Sequence, residues 1–260
     1  MSPQVFAILT GLVEERLGLW YPPEDQALFE SKVSQRALEL GFDSALDYYY
    51  CLRYDDPDGA ELKQLTNTLV VNETFFFREY DQLHAVMSHF VEPLIRAGAR
   101  PRVWSAACST GEEPSTIAMW LDERGWLGAA DVIASDISDA ALSVARAGRY
   151  RPRSLRYIPE GVDPARWITR SHDTLLLDER IRTAIDWRQI NLLDDAGVRT
   201  LGELDVVLCR NMLIYVRDDT VRRVVTRLRD RLKPGGVLLV GVSESLMRIS
   251  TGLVCEEHQG

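Results

Sequence analysis

The chain has 260 residues, 46% of them hydrophobic, which is enough for one large or two smaller domains with a buried core. Its formal net charge of −9 argues against a protein that binds nucleic acid, because binding to a phosphate backbone depends on clustered Lys and Arg. The four cysteines show no C-x-x-C spacing and the four histidines no H-x-x-x-H, so the sequence predicts neither a zinc site nor a disulfide framework and favours a reducing, cytoplasmic compartment.

The first 70 residues predict an acidic helical domain, with twelve acids against five bases and a net charge of −7. Met1-Ser2-Pro3-Gln4 lacks the basic start of a signal peptide, and no apolar run in the chain approaches the roughly 18 residues of a membrane span. We therefore expect a soluble protein without direct membrane insertion. Apolar spacing and turn residues predict helices over 5–17, 26–40, from the cap Asp43-Ser44 through Tyr50 and Leu52, and over 61–69 after the turn at 56–59.

A polar cluster with three phenylalanines follows this domain, in the segment from Asn72 to Arg78. At least two of the three rings are expected in the core, because adjacent aromatic side chains cannot all face a ligand. A helix is predicted over 80–95. The polar residues of the cluster have two interpretations, since Asn72 and Thr74 could serve a ligand or could cap that helix.

From Arg102 onwards, strands alternate with helices, which favours a mainly parallel sheet with helices on both faces. Strands are predicted near 102–107, 131–135, 185–190, 204–209 and 236–242. A helix is expected after each of the first two strands, and another over 218–232 before the turn Lys233-Pro-Gly-Gly236. The residues between about 150 and 186 break this alternation. Nine arginines lie between Arg149 and Arg188, with a hairpin of 167–169 against 174–177, and predict an inserted subdomain at the edge of the sheet.

The segment from Val103 to Ser115 predicts a strand, a turn of small residues and an amphipathic helix, as in a nucleotide-cofactor crevice. The turn lacks the G-x-G-x-x-G fingerprint, and Glu112 and Glu113 would repel a pyrophosphate at the helix start. They suit a nucleoside that carries an amino-acid cation, such as S-adenosylmethionine. Asp136 ends the second strand, where an acid can bind ribose hydroxyls. The alternatives are an ordinary βα unit with first-turn acids, and Asp136 as a helix N-cap before Ser138.

Four motifs in this order resemble those of the CheR-type methyltransferases, which methylate glutamates of chemotaxis receptors. They are Asn72-Glu-Thr-Phe-Phe-Phe-Arg78, Trp104-Ser-Ala-Ala-Cys-Ser-Thr-Gly-Glu-Glu-Pro114, Ala134-Ser-Asp-Ile137 and Asp205-Val-Val-Leu-Cys-Arg-Asn-Met-Leu-Ile-Tyr215. The resemblance covers roughly residues 15 to 247. It implies an α/β fold of the class I S-adenosylmethionine-dependent methyltransferases, Rossmann-like with a mainly parallel sheet. The expected domains are an N-terminal helical domain over 1–72 and a methyltransferase domain over 73–260, with the β-subdomain inserted at about 150–186.

The resemblance also implies an activity, partners and a site. The implied enzyme is a monomeric, cytoplasmic protein-glutamate O-methyltransferase that acts on the cytoplasmic helices of receptors for sensory adaptation, with S-adenosylhomocysteine as second product. Matching positions make Arg78 and Tyr215 the catalytic candidates. The expected cofactor-binding residues are Asn72, Thr74, Arg78, Glu113, Asp136, Asn191, Leu192, Arg210 and Asn211. No metal is expected.

The residues agree with chemistry that needs no acid or base catalyst, since none of the four histidines falls in a motif. Arg78 is a candidate to offset desolvation of an acceptor carboxylate, and its alternative role is a salt bridge at a helix start. Tyr215 could orient the acceptor or could be a core aromatic. Cys108 and Cys209 are expected to pack beside the crevice rather than to act as nucleophiles, because no histidine is near either in sequence.

Three departures from the family pattern qualify the resemblance. Val70-Val71 stand where the family has Thr-Thr, and the final strand of the family's sheet is expected to be missing, which would leave an exposed sheet edge. Arg170-Ser-His-Asp173 replaces a Gly-rich loop of members that bind a receptor tail, so we expect docking through the arginines of the insert instead. The alternative functions are a non-catalytic module that binds S-adenosylmethionine or its product, and a methyltransferase for another protein or a small molecule.

Overall fold

The computed structural model describes residues 1–256, and its internal contacts divide the chain into two units. One unit comprises Met1–Val71 together with Leu213–Val221, and the other comprises Asn72–Met212 and the residues from Arg222 onwards. Within residues 1–256, no helix is both long enough and apolar enough to span a membrane.

The first unit is built mainly from four helices, and the sequence pattern predicted each of them. They are α1 (Pro3–Leu17), α2 (Gln26–Glu39), α3 (Ala45–Tyr50) and α4 (Ala60–Leu69). Ser44 caps α3 as expected, since its hydroxyl accepts a hydrogen bond from the N–H of Asp47. Leu9, Phe29 and Leu65 are fully buried where the helices pack together. The periodic apolar positions thus form the core of this unit.

The helix predicted over 80–95 is interrupted in its middle. It consists of α5 (Tyr80–Val86), a π turn over Met87–Val91 and α6 (Glu92–Arg96). Pro93 lies in the first turn of α6 and accounts for the interruption, because proline lacks an N–H and its ring clashes with the carbonyl four residues earlier. The prediction for the preceding phenylalanines is confirmed, since Phe76 and Phe77 are buried.

The remaining strands and helices lie in the second unit, except that residues 218–221 of the last helix group with the first unit. They are β1 (Arg102–Ala106), α7 (Glu112–Glu123), β2 (Asp131–Asp136), α8 (Asp139–Ala147), β3 (Arg149–Tyr150), β4 (Ile168–Ser171), β5 (Thr174–Leu177), α9 (Glu179–Thr183), β6 (Ile185–Gln189), α10 (Asp195–Arg199), β7 (Leu204–Cys209), α11 (Asp218–Arg229) and β8 (Leu232–Val240). The main sheet has the order β6-β2-β1-β7-β8, and each pair of neighbours is parallel. The predicted parallel sheet is therefore confirmed. Because β2 and β6 lie on one side of β1 and β7 and β8 on the other, the strand order reverses at β1, where α/β folds bind their ligands.

The start of β8 differs from the prediction of a turn at Lys233–Gly236 followed by a strand. Leu204 pairs with Leu232 and Val206 with Val237, so the predicted turn residues form a bulge opposite Asp205. Lys233 donates hydrogen bonds of 2.9 and 2.8 Å to the Asp205 carboxylate. This ion pair holds the bulge within the strand.

The inserted residues form a separate antiparallel sheet of three strands in the order β3-β5-β4. The predicted hairpin is confirmed, with Ser171 paired with Thr174 across the two-residue turn His172-Asp173. His172 adopts a left-handed φ of 52°, which is the role that a glycine often takes in such a turn. One face of this sheet is buried through the side chains of Tyr150, Leu175 and Leu177. These side chains pack into the main hydrophobic core and attach the insert to it.

Candidate functional site

Residues singled out in the sequence meet at the carboxyl edge of the main sheet. The turn after β1, the end of β2 and the residues after β7 are adjacent there, because these three strands are parallel neighbours in the order β2-β1-β7. Asp136 is the last residue of β2, and Arg210 and Asn211 directly follow β7. The topology therefore brings the second, third and fourth motifs together at the point where the strand order reverses.

The turn after β1 has an unusual backbone. Ala107 and Ser109 adopt left-handed φ angles of 54° and 52°, a conformation that costs roughly 1–3 kcal/mol for residues other than glycine. Two hydrogen bonds hold this turn against β2, from the N–H of Cys108 to the carbonyl of Ser135 at 2.9 Å and from the N–H of Ser109 to Asp136 at 2.8 Å. Such strain persists only where the surrounding structure fixes it, and it marks functional loops.

Asp136 is only 7% exposed, and both of its carboxylate oxygens accept hydrogen bonds from backbone N–H groups. Oδ2 accepts from Ser109 at 2.8 Å and Oδ1 from Ser138 at 2.9 Å. Burial raises the pKa of Asp136, although these N–H groups act to lower it. The N-cap of α8 is Ser138, so the alternative in which Asp136 caps that helix is wrong. The carboxylate has a capacity of about four hydrogen bonds, which these N–H groups and that of Ile137 do not fill.

Arg210 lies at the centre of a buried ionic network, with a side chain that is 1% exposed. Its guanidinium donates to Glu113 at 2.7 Å, to Glu79 at 2.9 Å and to the carbonyl of Arg78 at 3.0 Å. Glu113 also accepts a hydrogen bond of 2.7 Å from the hydroxyl of Ser105. Burial alone would lower the pKa of Arg210, but the two carboxylates raise it and keep the guanidinium charged. The Nε atom of Arg210 is buried without a partner among the described residues.

Two acids that the sequence analysis did not select fix the position of Asn211, which has a left-handed φ of 59°. The side-chain amide of Asn211 donates to Glu79 at 3.1 Å, and its N–H donates to Glu244 at 2.6 Å. Glu244 also accepts from the N–H of Gly241 at 2.8 Å, which joins the ends of β7 and β8. Glu244 lies shortly after the carboxyl end of β8, and Asp136 lies at the carboxyl end of β2, so position at a strand end could have found Glu244 as well.

The first motif reaches this edge through Asn72, whose side-chain oxygen accepts a hydrogen bond of 3.2 Å from the hydroxyl of Ser109. Thr74 is half-buried in the same segment. The guanidinium of Arg78 contacts residues that are close to it in sequence. It donates to the carbonyl of Glu73 at 2.8 Å and lies 3.8 Å from the carboxylate of Glu79.

The remaining predicted residues lie on two other segments. Asn191 follows β6 and accepts a hydrogen bond of 2.9 Å from the N–H of Leu193, while Leu192 is buried. The N–H of Ile190 binds the carbonyl of Asp136 at 3.0 Å, which brings this turn to the end of β2. Tyr215 belongs to the segment that groups with the first unit, where its carbonyl accepts from the N–H of Trp20 at 3.0 Å. Its catalytic role stays a prediction.

The two cysteines beside the motifs are unsuited to nucleophilic catalysis. Cys108 and Cys209 are buried, and burial raises the pKa of both thiols, with a smaller contribution from nearby carboxylates. The raised pKa values keep both thiols protonated at neutral pH. Because the thiolate is the reactive form, neither cysteine is a good nucleophile. Their interpretation as packing residues is confirmed.

Comparison with known proteins gives consistent results. The family model described as CheR methyltransferase, SAM binding domain, matches residues 72–258. Chemotaxis protein methyltransferase 2 of Vibrio cholerae is 35% identical over 243 residues, which cover 91% of this chain and 84% of that protein. Chemotaxis protein methyltransferase 1 of Pseudomonas aeruginosa is 30% identical, with coverage of 93% and 90%. The chemotaxis protein methyltransferase of Escherichia coli K12 is 31% identical, with coverage of 96% and 87%.

Proposed function

Because the chain belongs to the CheR methyltransferase family, we propose that it methylates glutamate side chains on the cytoplasmic helices of chemotaxis receptors. The chain is an S-adenosylmethionine-dependent methyltransferase with a class I, Rossmann-like fold. The glutamyl methyl ester and the receptor partner are the parts we propose. The observation that carries the proposal is the convergence of residues from all four motifs at the reversal of strand order.

The residues at this edge fit S-adenosylmethionine. Three carboxylates, of Glu79, Glu113 and Glu244, share a hydrogen-bonded network with the buried guanidinium of Arg210. This excess of negative charge disfavours a pyrophosphate and favours a ligand that carries cations, as the sulfonium and ammonium groups of S-adenosylmethionine do. We assign the ribose hydroxyls to the remaining lone pairs of Asp136 and the ammonium group to Glu113. Asn72, Thr74, Asn191, Leu192 and Asn211 complete the proposed binding set.

The proposed reaction requires little acid–base catalysis by residues of the chain. When bound, S-adenosylmethionine supplies a methyl group that its sulfonium already activates. A glutamate has an unperturbed pKa of about 4.3 and is ionised at neutral pH, so no residue has to remove a proton from it. The chain must align the carboxylate and exclude water. We propose that Arg78 offsets the desolvation of the acceptor carboxylate and that Tyr215 orients it.

The test of this proposal is the transfer of radiolabelled methyl groups to membranes that contain chemotaxis receptors. Carboxyl methyl esters release methanol in base, so we expect label that is volatile after alkaline treatment. A base-stable product would contradict the glutamate acceptor. Binding of both cofactor forms in calorimetry without any turnover would instead support a non-catalytic signalling module.

A further inference from the structure

The ten residues from Arg149 to Ile158 contain four arginines and no acid, in a chain whose net charge is −9. All four arginines, together with Tyr157 and Ile158, are exposed, and the two apolar side chains are 46% and 47% exposed. We call Arg149, Arg151, Arg153, Tyr157 and Ile158 the arginine surface. Its composition combines exposed cations with exposed apolar area, as protein interfaces often do.

Among residues 1–256, most arginines between Arg149 and Arg188 have an acidic partner, but those of the arginine surface do not. Arg156, Arg166, Arg180, Arg182 and Arg188 form ion pairs with neighbouring carboxylates. In residues 1–256, Arg149, Arg151 and Arg153 have no such ion pair. Their charge is therefore available to an external anionic group, and local cations of this kind steer association even when the net charge is negative.

Two buried residues of the same segment, Tyr150 and Ser154, connect the arginine surface to the candidate site by hydrogen bonds. The hydroxyl of Tyr150 donates to the carbonyl of Thr110, in the turn after β1, at 3.0 Å. The carbonyl of Ser154 accepts from the N–H of Phe76, in the first motif, at 2.8 Å. Arg156 bridges the two segments, since its guanidinium stacks 4.0 Å above the ring of Phe75 and pairs with Glu73 at 2.7 Å. A partner on this surface would thus lie beside the cofactor turn and Arg78.

We propose that the arginine surface docks the acidic helix that carries the methylated glutamate, an inference that rests on the proposed function. A helix with several glutamates presents carboxylates to Arg149, Arg151 and Arg153, and its aliphatic side chains can cover Tyr157 and Ile158. An anionic membrane is a poorer fit, because surface-binding elements use amphipathic helices with a large apolar face, whereas this segment contains only the short 3₁₀ turn Pro152–Leu155.

The test compares two variants that make the same change of charge. Arg151→Glu/Arg153→Glu alters the arginine surface, and Arg222→Glu/Arg223→Glu alters two exposed arginines of α11, the helix between β7 and β8. Methyl transfer is measured against receptor-containing membrane vesicles. At about 0.1 M salt we expect the KM for receptor to rise about tenfold in the first variant only, with kcat and the Kd for S-adenosylmethionine unchanged. At about 1 M salt, where the Debye length is about 3 Å, the two variants should converge.

Other results would overturn the proposal, assign the surface to the membrane or contradict the proposed function. An unchanged KM in Arg151→Glu/Arg153→Glu, or an equal rise in both variants, would overturn the proposal. Cosedimentation with receptor-free vesicles of phosphatidylglycerol and phosphatidylcholine in equal parts tests a lipid partner, and binding that only the first variant loses would assign the surface to the membrane. If the wild-type protein methylates no receptor, the proposed function itself fails. Cosedimentation of the variants with receptor vesicles still tests the docking surface in that case.

Discussion

A single carboxylate, that of Asp136, connects the turn after β1 to the start of α8. It is buried, and its burial raises its pKa, so the ionised form is held at a cost to folding. The backbone N–H groups of Ser109, Ile137 and Ser138 compensate only part of this cost. A desolvated acid at the end of a central strand is better explained by ligand binding than by stability.

Replacing this carboxylate tests that explanation. Asp136→Ala removes the proposed charge-assisted contact to the ribose hydroxyls, which is worth about 1.5–3 kcal/mol in all. We expect the affinity for S-adenosylmethionine in calorimetry to fall about ten- to a hundredfold. The melting temperature should also fall, because the N–H groups of Ser109 and Ser138 lose their acceptor. An unchanged affinity would show that Asp136 only shapes the turn.

Tyr215→Phe should have the opposite kinetic signature. The proposed role of its hydroxyl is to orient the acceptor carboxylate, so its removal should lower kcat about tenfold or more and leave the Kd for S-adenosylmethionine within about twofold. Steady-state rates and calorimetry on the same preparation make this comparison. A weaker cofactor affinity with normal turnover would mean that the roles of Tyr215 and Asp136 have been exchanged.

The pH dependence of the unfolding free energy tests the ionic role of Glu79. Burial opposes its ionisation, but hydrogen bonds from Asn211 and Arg210 prevail and lower its pKa below the ordinary 4.5. A carboxylate whose pKa is lower in the folded state stabilises the protein above its unfolded pKa, and this stability is lost as the pH falls through the folded value. We expect Glu79→Gln to cost about 1–3 kcal/mol in urea unfolding at about pH 7.

The difference between wild type and Glu79→Gln should shrink as the pH falls from about 4.5 through the lower pKa of Glu79 in the folded state, because below that value Glu79 is protonated in both the folded and the unfolded wild-type protein. Glu160→Gln is the control, since Glu160 is exposed and has no ion pair among the described residues. It should show no such trend. A Glu79→Gln penalty that is constant with pH would contradict the ionic role.

At the scale of elements, local sequence signals predicted the helices of the first unit, the five strands of the main sheet and the β4–β5 hairpin, because apolar periodicity and turn residues act over short distances. Only one of the two differences has a cause that is distant in sequence. The bulge of β8 depends on the pairing of Lys233 with Asp205 on a neighbouring strand, whereas the π turn over Met87–Val91 follows from Pro93, which is close by in sequence.

The start of α7 provides a test at this scale. Gly111 has a φ of 90°, and an added Cβ would lie 2.7 Å from the Cβ of Ala145 and 2.7 Å from the ring of Trp187. Gly111→Ala therefore combines left-handed strain with overpacking, and we expect it to lose about 2–5 kcal/mol of unfolding free energy. Gly125→Ala is the matched control, because Gly125 has a φ of 72° and open space around it. It should lose only about 1–2 kcal/mol. Equal losses would exclude the packing contribution.

At the scale of the molecule, the sequence predicted where the candidate site lies better than how it is held together. Asp136 could be selected because it ends a strand, whereas Arg210 and Asn211 were implied by the resemblance of their motif to the family. The partners of Arg210 and Asn211, such as Glu79, come from distant parts of the chain and become visible only in three dimensions. The distribution of charge is likewise only partly predictable from the sequence. The acidic first 70 residues and the arginine-rich insert are evident in the sequence, but which arginines lack an acidic partner is not.

The small sheet of the insert bears on how a receptor is recruited. Peptides that tether an enzyme can add as a strand to a sheet edge, where backbone hydrogen bonds give affinity and side-chain pockets give specificity. Here β4 has four residues and ends in the tight turn His172-Asp173, without a glycine to let a peptide backbone approach closely. We therefore expect methylation that does not depend on the receptor's C-terminal tail.

Deleting the last residues of the receptor tests this expectation directly. The initial rate of methyl transfer should stay within about twofold of that with the intact receptor, because encounter is driven by the charge of the insert rather than by a tethered peptide. The isolated tail peptide should not bind in calorimetry. A fall in rate of about tenfold or more on tail deletion would contradict this expectation. So would binding of the isolated tail peptide, if Arg170→Glu on β4 abolishes it. Either result would show that the short edge of β4 is sufficient for tethering.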